Sequence, residues 1–450
     1  MRRLCLDTNI LLMDANNILT LGREWVVILP ETVLEEADNK KSGLGELAYQ
    51  ARSLGRLLAE CTIVEVAKKD GATVTEMIHG DVHIEVVALD EYIVNSSDSG
   101  ANDQRIIQVA EKYADVFMSN DTMARLRGLA VGLEVTDLKM TADVDHEFVK
   151  ELLVDNVEQF RTLHNANILE VDKEYKIENY CYKFECTTTG QIKLGLVQNG
   201  FVTVIGKDSE KELRRQDVGP INSEQLMLSK AIQDPTIDLV VVEGKAGSGK
   251  NICAVSNSIK LMKLSRDKYE NMVYIRNSVN DEELGEDVGY LAGNDEKMAV
   301  YLGPMEDTLD YIVRNRLDTK KMAKDEVEQK VTDMTSKLVS ELGIQSMIST
   351  GLRGRTFHNS VIIIDEAQNT SSATMQKILS RVGKNCKVIV LGSLRQIDNK
   401  YITKYSNGLA ILMDETSKQT VDAGISMFAI TLEKVARSEM ALFAERLFSK

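Results

Sequence analysis

The sequence predicts an α/β protein: two parallel, helix-covered sheets joined by a small β-containing connector. Short apolar runs alternate with helical patterns from Arg3 to about Leu138, and again from Pro220 onward. Strand–helix alternation of this kind implies parallel sheets with helices on their faces. Between these stretches the character changes to alternating segments such as YCYKFEC and QIKLGLVQNGFVTVIG, which read as half-buried strands. A chain of 450 residues is long enough for two or three domains, each with its own core. The expected boundaries are 1–140, 141–219 and 220–450.

A hydrophobic content of 43% with 27% charged residues is that of an ordinary globular protein. The opening MRRLCLDTN reaches an aspartate too early for the apolar core of a signal peptide. The apolar runs are of strand length, far short of a membrane span. Six scattered cysteines, with Cys181 and Cys186 as the only close pair, do not have zinc-knuckle spacing. These features read as a cytoplasmic chain with reduced thiols. The net charge of −15 removes long-range attraction to a phosphate backbone, so any nucleic acid needs a local basic groove.

In order along the chain, Arg3 to Leu6 and Val26 to Leu29 are predicted strands. Pro30 opens the helix ETVLEEADNKK, where its missing N–H costs nothing. Asn102 is a predicted cap for DQRIIQVAEKY, and Val116 to Met118 is a strand before DTMARLRGLA. In the connector, DHEFVKELLVDNVEQF is predicted helical, and QNG signals a hairpin. Later, Leu239 to Val242 is a strand, Asn251 to Leu264 a helix, and Asp318 to Glu341 a solvated helical excursion.

Four acids stand where parallel strands end or the following helices begin. Asp7 follows RRLCL and Asp121 follows VFMSN, while Asp103 opens a helix. Ligands of α/β sheets bind at that edge. On helix 31–41 the apolar face is Val33, Leu34 and Ala37, so Glu35 points to solvent and Glu36 leans over the sheet. Convergent carboxylates repel one another unless Mg²⁺ or Mn²⁺ lies between them. Singly, each acid is equally consistent with complementing a helix dipole. Together, DTN at Asp7 to Asn9, PETVLEEAD at Pro30 to Asp38, ND at Asn102 and Asp103, and SND at Ser119 to Asp121 resemble the PIN-domain nucleases. The resemblance implies a PIN-like parallel-sheet domain and an endoribonuclease. It implies Asp7, Glu36, Asp103 and Asp121 as metal ligands, Asp7 and Asp103 as catalytic, and Asn9 and Ser119 in support. Ala37 stands where that family usually has leucine.

Gly244 to Lys250 (GKAGSGK) follows a strand and precedes a helix, the context of a phosphate-binding loop. Its backbone N–H groups and the Lys250 charge suit phosphates, so Gly244, Lys245, Ala246, Gly247, Ser248, Gly249, Lys250 and Asn251 are the expected nucleotide contacts. VIIIDEAQN then places Asp365 for a magnesium shell and Glu366 for the attacking water. With INSEQ at Ile221 to Gln225, YIRNSVNDEELGEDVGYLAGNDEKMAV, GLRGRTF, LGSLRQID and EKVARSE, the stretch from Pro220 to Phe448 resembles PhoH-like ATPases, related to superfamily-one helicases. The resemblance implies Gln225 as an adenine reader, Gln396 as a γ-phosphate sensor and Arg437 as a late charge-neutralising arginine. Arg276, Arg353 and Arg355 are expected on RNA or nucleotide phosphate.

Three positions depart from that family. Asn251 replaces the magnesium-gripping Ser or Thr, Ser393 replaces an aspartate, and Asn277 replaces a proline. Asparagine offers a carbonyl oxygen, but Mg²⁺ demands near-octahedral geometry. His79 and His83 are more simply exposed polar residues than a metal pair. Arg125, Arg127, Lys40 and Lys41 are equally consistent with a local groove or with basic helix ends. The combined expectation is an ATP- and Mg²⁺- (or Mn²⁺-) using RNA helicase/ATPase coupled to an endoribonuclease. Its partner is RNA, single-stranded at the nuclease, and a homo-oligomeric ring is implied by resemblance. Two alternatives stay open: a nucleotide-gated RNA-binding assembly, or a nuclease using the ATPase domain as a scaffold.

Overall fold

The computed structural model describes residues 1–42, 46–93, 100–138, 146–163, 177–198, 201–276, 295–317, 322–352, 354–398, 402, 404, 407–419, 421 and 424–434. The chain divides after Thr141 into two compact units.

The first unit runs β1 (Arg3–Leu6), α1 (Thr8–Met13), α2 (Asn17–Leu21), β2 (Val26–Pro30), α3 (Glu31–Lys40), α4 (Glu46–Ala59), β3 (Thr62–Lys69), β4 (Ala72–His79), β5 (Val82–Leu89), α5 (Ala101–Tyr113), β6 (Val116–Met118), α6 (Thr122–Ala130) and β7 (Glu134–Thr136). Its sheet has the order β3-β4-β5-β2-β1-β6-β7. β1 lies at the centre of the parallel part, with Leu6 opposite Met118 of β6. β3, β4 and β5 add an antiparallel meander that the sequence reading did not separate out. Leu4, Leu6, Ile28 and Leu29 are completely buried, as expected for parallel strands covered on both faces.

The second unit begins with β8 (Val149–Val154), α7 (Val157–Thr162), β9 (Cys181–Cys186), β10 (Ile192–Gln198), β11 (Phe201–Val204) and α8 (Lys207–Arg214). Here the structure corrects the sequence reading. VKELLV is a strand, not helix, because it pairs in parallel with β9 from Val149↔Cys181 to Val154↔Cys186. Asn156 then starts a separate short helix, accepting from the N–H groups of Glu158 and Gln159. Tertiary pairing has outweighed local helix preference. The hairpin holds: β10 and β11 are antiparallel, with Gln198 opposite Phe201, although residues 199–200 lie outside the described ones.

The unit continues with α9 (Ser223–Gln233), β12 (Leu239–Gly244), α10 (Lys250–Leu264), β13 (Asn271–Arg276), α11 (Asp295–Arg316), α12 (Lys324–Glu341), β14 (Ile344–Ile348), β15 (Ser360–Asp365), α13 (Ser372–Leu379), β16 (Lys387–Gly392), α14 (Gly408–Lys418) and β17 (Met427–Leu432). Its sheet has the order β14-β13-β15-β16-β12-β17, with every pairing parallel. Alternate residues serve two cores: Val361 and Ile363 face one, Ile362 and Ile364 the other. Burying each such side chain contributes about 1.5–3 kcal/mol, which is why VIII reads as an unbroken apolar run. Among the described residues no helix is long and apolar enough to cross a membrane.

One buried cation fastens the base of this sheet. Lys387 is fully buried at the start of β16, and its Nζ donates to the carbonyls of Ala231, Asp234 and Ile237 at 3.0, 2.7 and 2.7 Å. Burial pushes its pKa down to about 7. Three acceptors around one nitrogen use all three donors of an ammonium, so the charged form is the one that ties the end of α9 to β12 and β16. Lys387→Met keeps the length of the side chain and strips those carbonyls of their donors. A loss of about 3 kcal/mol in urea unfolding is expected. A loss under about 0.5 kcal/mol would show that the carbonyls find other partners.

Candidate functional sites at two sheet edges

In the first unit the edge formed by β1, β6 and α3 gathers the acids. Asp7 is buried, and its carboxylate accepts from Thr8 N (2.7 Å), Asn9 Nδ2 (2.7 Å) and Ser119 Oγ (2.5 Å). Asn9 also donates to Ser119 Oγ at 3.0 Å and accepts from Asn120 N at 3.1 Å. The support expected of Asn9 and Ser119 is thus direct contact with Asp7. Glu36 accepts from Asn102 Nδ2 at 2.8 Å and from the Thr8 hydroxyl. Asn102 is therefore not the helix cap: Gly100 occupies that position, and the Asn102 side chain reaches across to α3 instead. Glu35 is exposed and lies 4.0 Å from Arg105.

Asp121 caps α6, accepting from Met123 N at 2.7 Å. Asp103 pairs with Arg127, and Arg125 donates to Ser119 O at 2.6 Å. Both arginines are therefore engaged within the acidic edge, while Lys41 pairs with Asp38 at 2.6 Å. The acids feel one another. Burial, first of all, pushes the Asp7 carboxyl up to about 6, and the charges of Asp103 and Glu36 add to it. Burial likewise raises Asp103, with Arg127 opposing and Asp121 and Glu36 reinforcing. Among the described residues no group of three or more His, Cys, Asp or Glu side chains is drawn tightly enough to enclose a metal ion. The four carboxylates instead hold hydrogen bonds and arginine while still repelling one another.

In the second unit β12 leads into the loop, and α10 starts at Lys250. Gly247 and Gly249 have φ of 80° and 83°, a backbone region that costs an L side chain about 1–2 kcal/mol. Lys250 Nζ folds back on the carbonyls of Gly244 (2.5 Å) and Lys245 (3.0 Å). Gln225 braces the loop, donating to Ser248 O at 2.9 Å and accepting from Ile221 N at 3.0 Å. Asn251 Nδ2 donates to Asp365 Oδ2 at 3.1 Å, and Tyr274 Oη donates to the same oxygen at 2.5 Å. Burial raises the Tyr274 pKa strongly, and the Asp365 charge adds to this, so the phenol stays protonated.

Glu366 adopts φ 55°, a left-handed conformation that a non-glycine residue keeps only when its surroundings hold it. Arg276 lies 3.7 Å from one of its oxygens, and Gln368 Nε2 donates to the other at 2.6 Å. Gln368 also donates to Gln396 O at 2.9 Å and accepts from Ser393 N at 3.0 Å. Gln396 and Glu366 are thereby brought together. Arg355 is exposed, whereas Arg353, Asn277 and Arg437 lie outside the described residues. Burial raises the pKa of Glu243, just before the loop, against the opposing charge of Lys250. Around this loop Ser248 Oγ, Asn251 Oδ1 and Ser393 Oγ are buried without a hydrogen-bond partner. Two of them belong to the substituted positions.

The sequence reading missed Thr8, Gln368 and Tyr274. Thr8 and Gln368 sit inside the quoted DTN and DEAQN. Tyr274 reads as a core aromatic until β13 is placed beside β15, with Arg276 opposite Asp365.

Comparison with known proteins agrees with this geometry. The family model described as PhoH-like protein matches residues 217–448. The chain belongs to the PhoH-like protein family. A PIN domain model matches residues 4–139, ahead of the PhoH domain. Protein PhoH2 of Bacillus subtilis is 27% identical over 98% of this chain and 98% of its own length. Protein PhoH2 of Thermobispora bispora is 26% identical over 98% and 95%. Protein PhoH of Escherichia coli K12 is 33% identical over 45% of this chain and 51% of its own. The chain thus joins a PIN domain, a nuclease-type unit, to a PhoH domain, a P-loop ATPase-type unit.

The loop geometry makes a direct prediction. A Cβ on Gly249 would meet the Gln225 amide at 3.0 Å while φ stays positive. Gly249→Ala should lower stability by about 1–2 kcal/mol and weaken binding of a fluorescent ATP analogue. Parent-like melting and parent-like affinity together would show that the loop does not need this conformation.

Proposed function

We propose that this protein is an ATP-dependent RNA-processing enzyme, in which the PhoH domain hydrolyses ATP and delivers single-stranded RNA to a PIN endoribonuclease. The observation that carries the reading is the constellation of Lys250, Asn251, Asp365 and a strained Glu366 at one sheet edge. Backbone amides of Gly247 to Lys250 at the N-terminus of α10 hold the phosphates. Lys250 leaves the Gly244 and Lys245 carbonyls to meet them. Glu366 takes the proton of the attacking water and is aimed by Arg276 and Gln368. Gln396 reports on the γ-phosphate, Gln225 and the loop enclose the nucleotide, and Arg437 completes charge neutralisation as the resemblance implies. Arg276, Arg353 and Arg355 hold nucleotide or RNA phosphates, a local answer to the net charge of −15.

Divalent cations suit both acidic sets, which offer only hard oxygen donors. Asp365 with the unpartnered oxygen of Asn251, and Asp7, Glu36, Asp103 and Asp121, would hold Mg²⁺ or Mn²⁺. Such ions neutralise phosphate charge and lower the pKa of bound water. In the PIN domain the protein's own part is to keep Asp7 ionised and oriented. Ser119, Asn9 and the Thr8 amide do this against burial and repulsion. A cytoplasmic location and a homo-oligomeric ring belong to the same proposal.

A second reading, a nucleotide-gated RNA-binding assembly with little hydrolysis, is favoured by one observation. The Asn251 amide is committed to Asp365 on one side and leaves its oxygen without a partner on the other.

Two experiments test these readings. Asp7→Asn should abolish Mg²⁺- or Mn²⁺-dependent RNA cleavage, Glu35→Gln should change it by less than about twofold, and Lys250→Ala should stop ATP hydrolysis while sparing cleavage of unstructured RNA. Equal damage from the two acid substitutions would remove Glu36 from the ligand set. Loss of unstructured-strand cleavage in Lys250→Ala would show obligatory coupling.

In the second experiment Asn251→Thr, which restores a hydroxyl, should raise ATP turnover by about tenfold with little change in nucleotide affinity. Mn²⁺ should narrow the gap. A threonine variant slower than the parent in both metals would make Asn251 a positive adaptation and favour the second reading.

A further inference from the structure

A cavity of 770 Å³ in the second unit has no part in the functions above. It lies between α8, the chain that follows it, the C-terminal half of α10 and the end of α11. Small-molecule sites span about 300–1,000 Å³, so its size suits a ligand of nucleotide dimensions. Lys211, Arg215, Lys260, Lys263 and Arg316 line it, an unusual concentration of positive charge in a chain of net charge −15.

Three carboxylates share the lining, and two are matched. Asp217 accepts from Arg316 at 2.5 Å, and Glu212 lies 3.9 Å from Lys260. The third, Asp208, is in the first turn of α8, where it complements the helix dipole. Lys211, Arg215 and Lys263 make no ion pair among the described residues. All three are exposed to the cavity and to solvent. Partial desolvation and then the like charge of Arg316 lower the Lys263 pKa, against Glu341 and Asp217. A second, independent feature points the same way: the amide nitrogen of Gln216, on the same wall, is buried without a hydrogen-bond partner. Ile259 and Ile312 also line it but are almost wholly buried, so the surface a ligand meets is chiefly polar.

We propose that this cavity is a second binding site, for a phosphorylated small molecule of nucleotide size. Its phosphoryl oxygens meet Lys211, Arg215 and Lys263, and the Gln216 amide donates to it. The site is separate from the phosphate loop. Lys250 opens α10 and Lys263 is thirteen residues along it, a rise of about 20 Å. The two sites therefore share one helix, with phosphate contacts at both ends. This inference goes beyond the ATPase–nuclease reading and stands if that reading fails.

The test is calorimetric titration of the full chain with inorganic tripolyphosphate. In a Lys250→Ala background, which weakens the phosphate loop, binding should persist. Adding Lys211→Gln and Lys263→Gln should weaken that remaining binding by about tenfold or more. The lysine pair alone should leave the melting temperature and fluorescent ATP-analogue affinity within about twofold of the parent. Loss of all binding in Lys250→Ala alone would overturn the proposal, as would residual binding indifferent to the two lysines. So would a result in which these lysines serve only a single-stranded RNA oligonucleotide and tripolyphosphate does not bind.

Discussion

Both sites depend on one constraint, the register of adjacent parallel strands. In the first unit Leu6 stands opposite Met118, so the next residues, Asp7 and Ser119, emerge side by side and bond at 2.5 Å. In the second, Arg276 stands opposite Asp365 and Glu243 opposite Gly392. This places Arg276 beside Glu366 and the phosphate loop beside the Ser393 turn. Because side chains alternate with period two, a one-residue slip would turn every buried residue of these strands to the wrong face. Register is therefore enforced by the whole core, and the sites inherit its precision.

That inheritance lets each site hold groups that local chemistry disfavours. Asp7 is buried beside other acids, and its pKa is raised to about 6; three hydrogen bonds keep it where it is. Glu366 sits at φ 55° just past Asp365, at the end of a strand whose four apolar residues, Val361 to Ile364, are fully buried. A strained or repelled group persists only where its surroundings over-determine it. The strand ends of both sheets supply that rigidity, with Gln368 and Asn9 as the braces.

Much of this was legible from residues alone, for physical reasons. Strands buried on both faces appear as uninterrupted apolar runs, so Val361 to Ile364 and Leu239 to Val242 declare themselves. The glycines of the phosphate loop do the same, because positive φ selects that residue type. VKELLV was misread because its apolar spacing is compatible with a helix turn. Only its partner strand β9, more than 25 residues away and beyond any local window, decides between the two. Tyr274 was illegible for a related reason: its hydroxyl acquires meaning only from Asp365, which is 91 residues distant. Asn102 was read as a cap from its place before a helical run, yet its amide is used by Glu36, a contact set by tertiary placement.

Two of the three family departures in the PhoH domain, at Asn251 and Ser393, are better understood through their atoms than through their residue classes. A serine or threonine hydroxyl offers donor and acceptor at a single oxygen. The asparagine side chain divides them: Nδ2 faces the Asp365 carboxylate, and Oδ1 is left buried without a partner. This polarity is forced, because the carboxylate accepts and Tyr274 is a second donor to the same oxygen. One end of the amide thus complements an anion while the other remains free for a cation or a donor. At position 393 the loss of a carboxylate leaves a buried hydroxyl that is likewise unpartnered. The site keeps its phosphate-binding backbone and its acid pair, and both altered positions carry an unsatisfied oxygen, as Ser248 does. Buried polar atoms without partners are costly, so these oxygens favour a bound state that supplies what they lack.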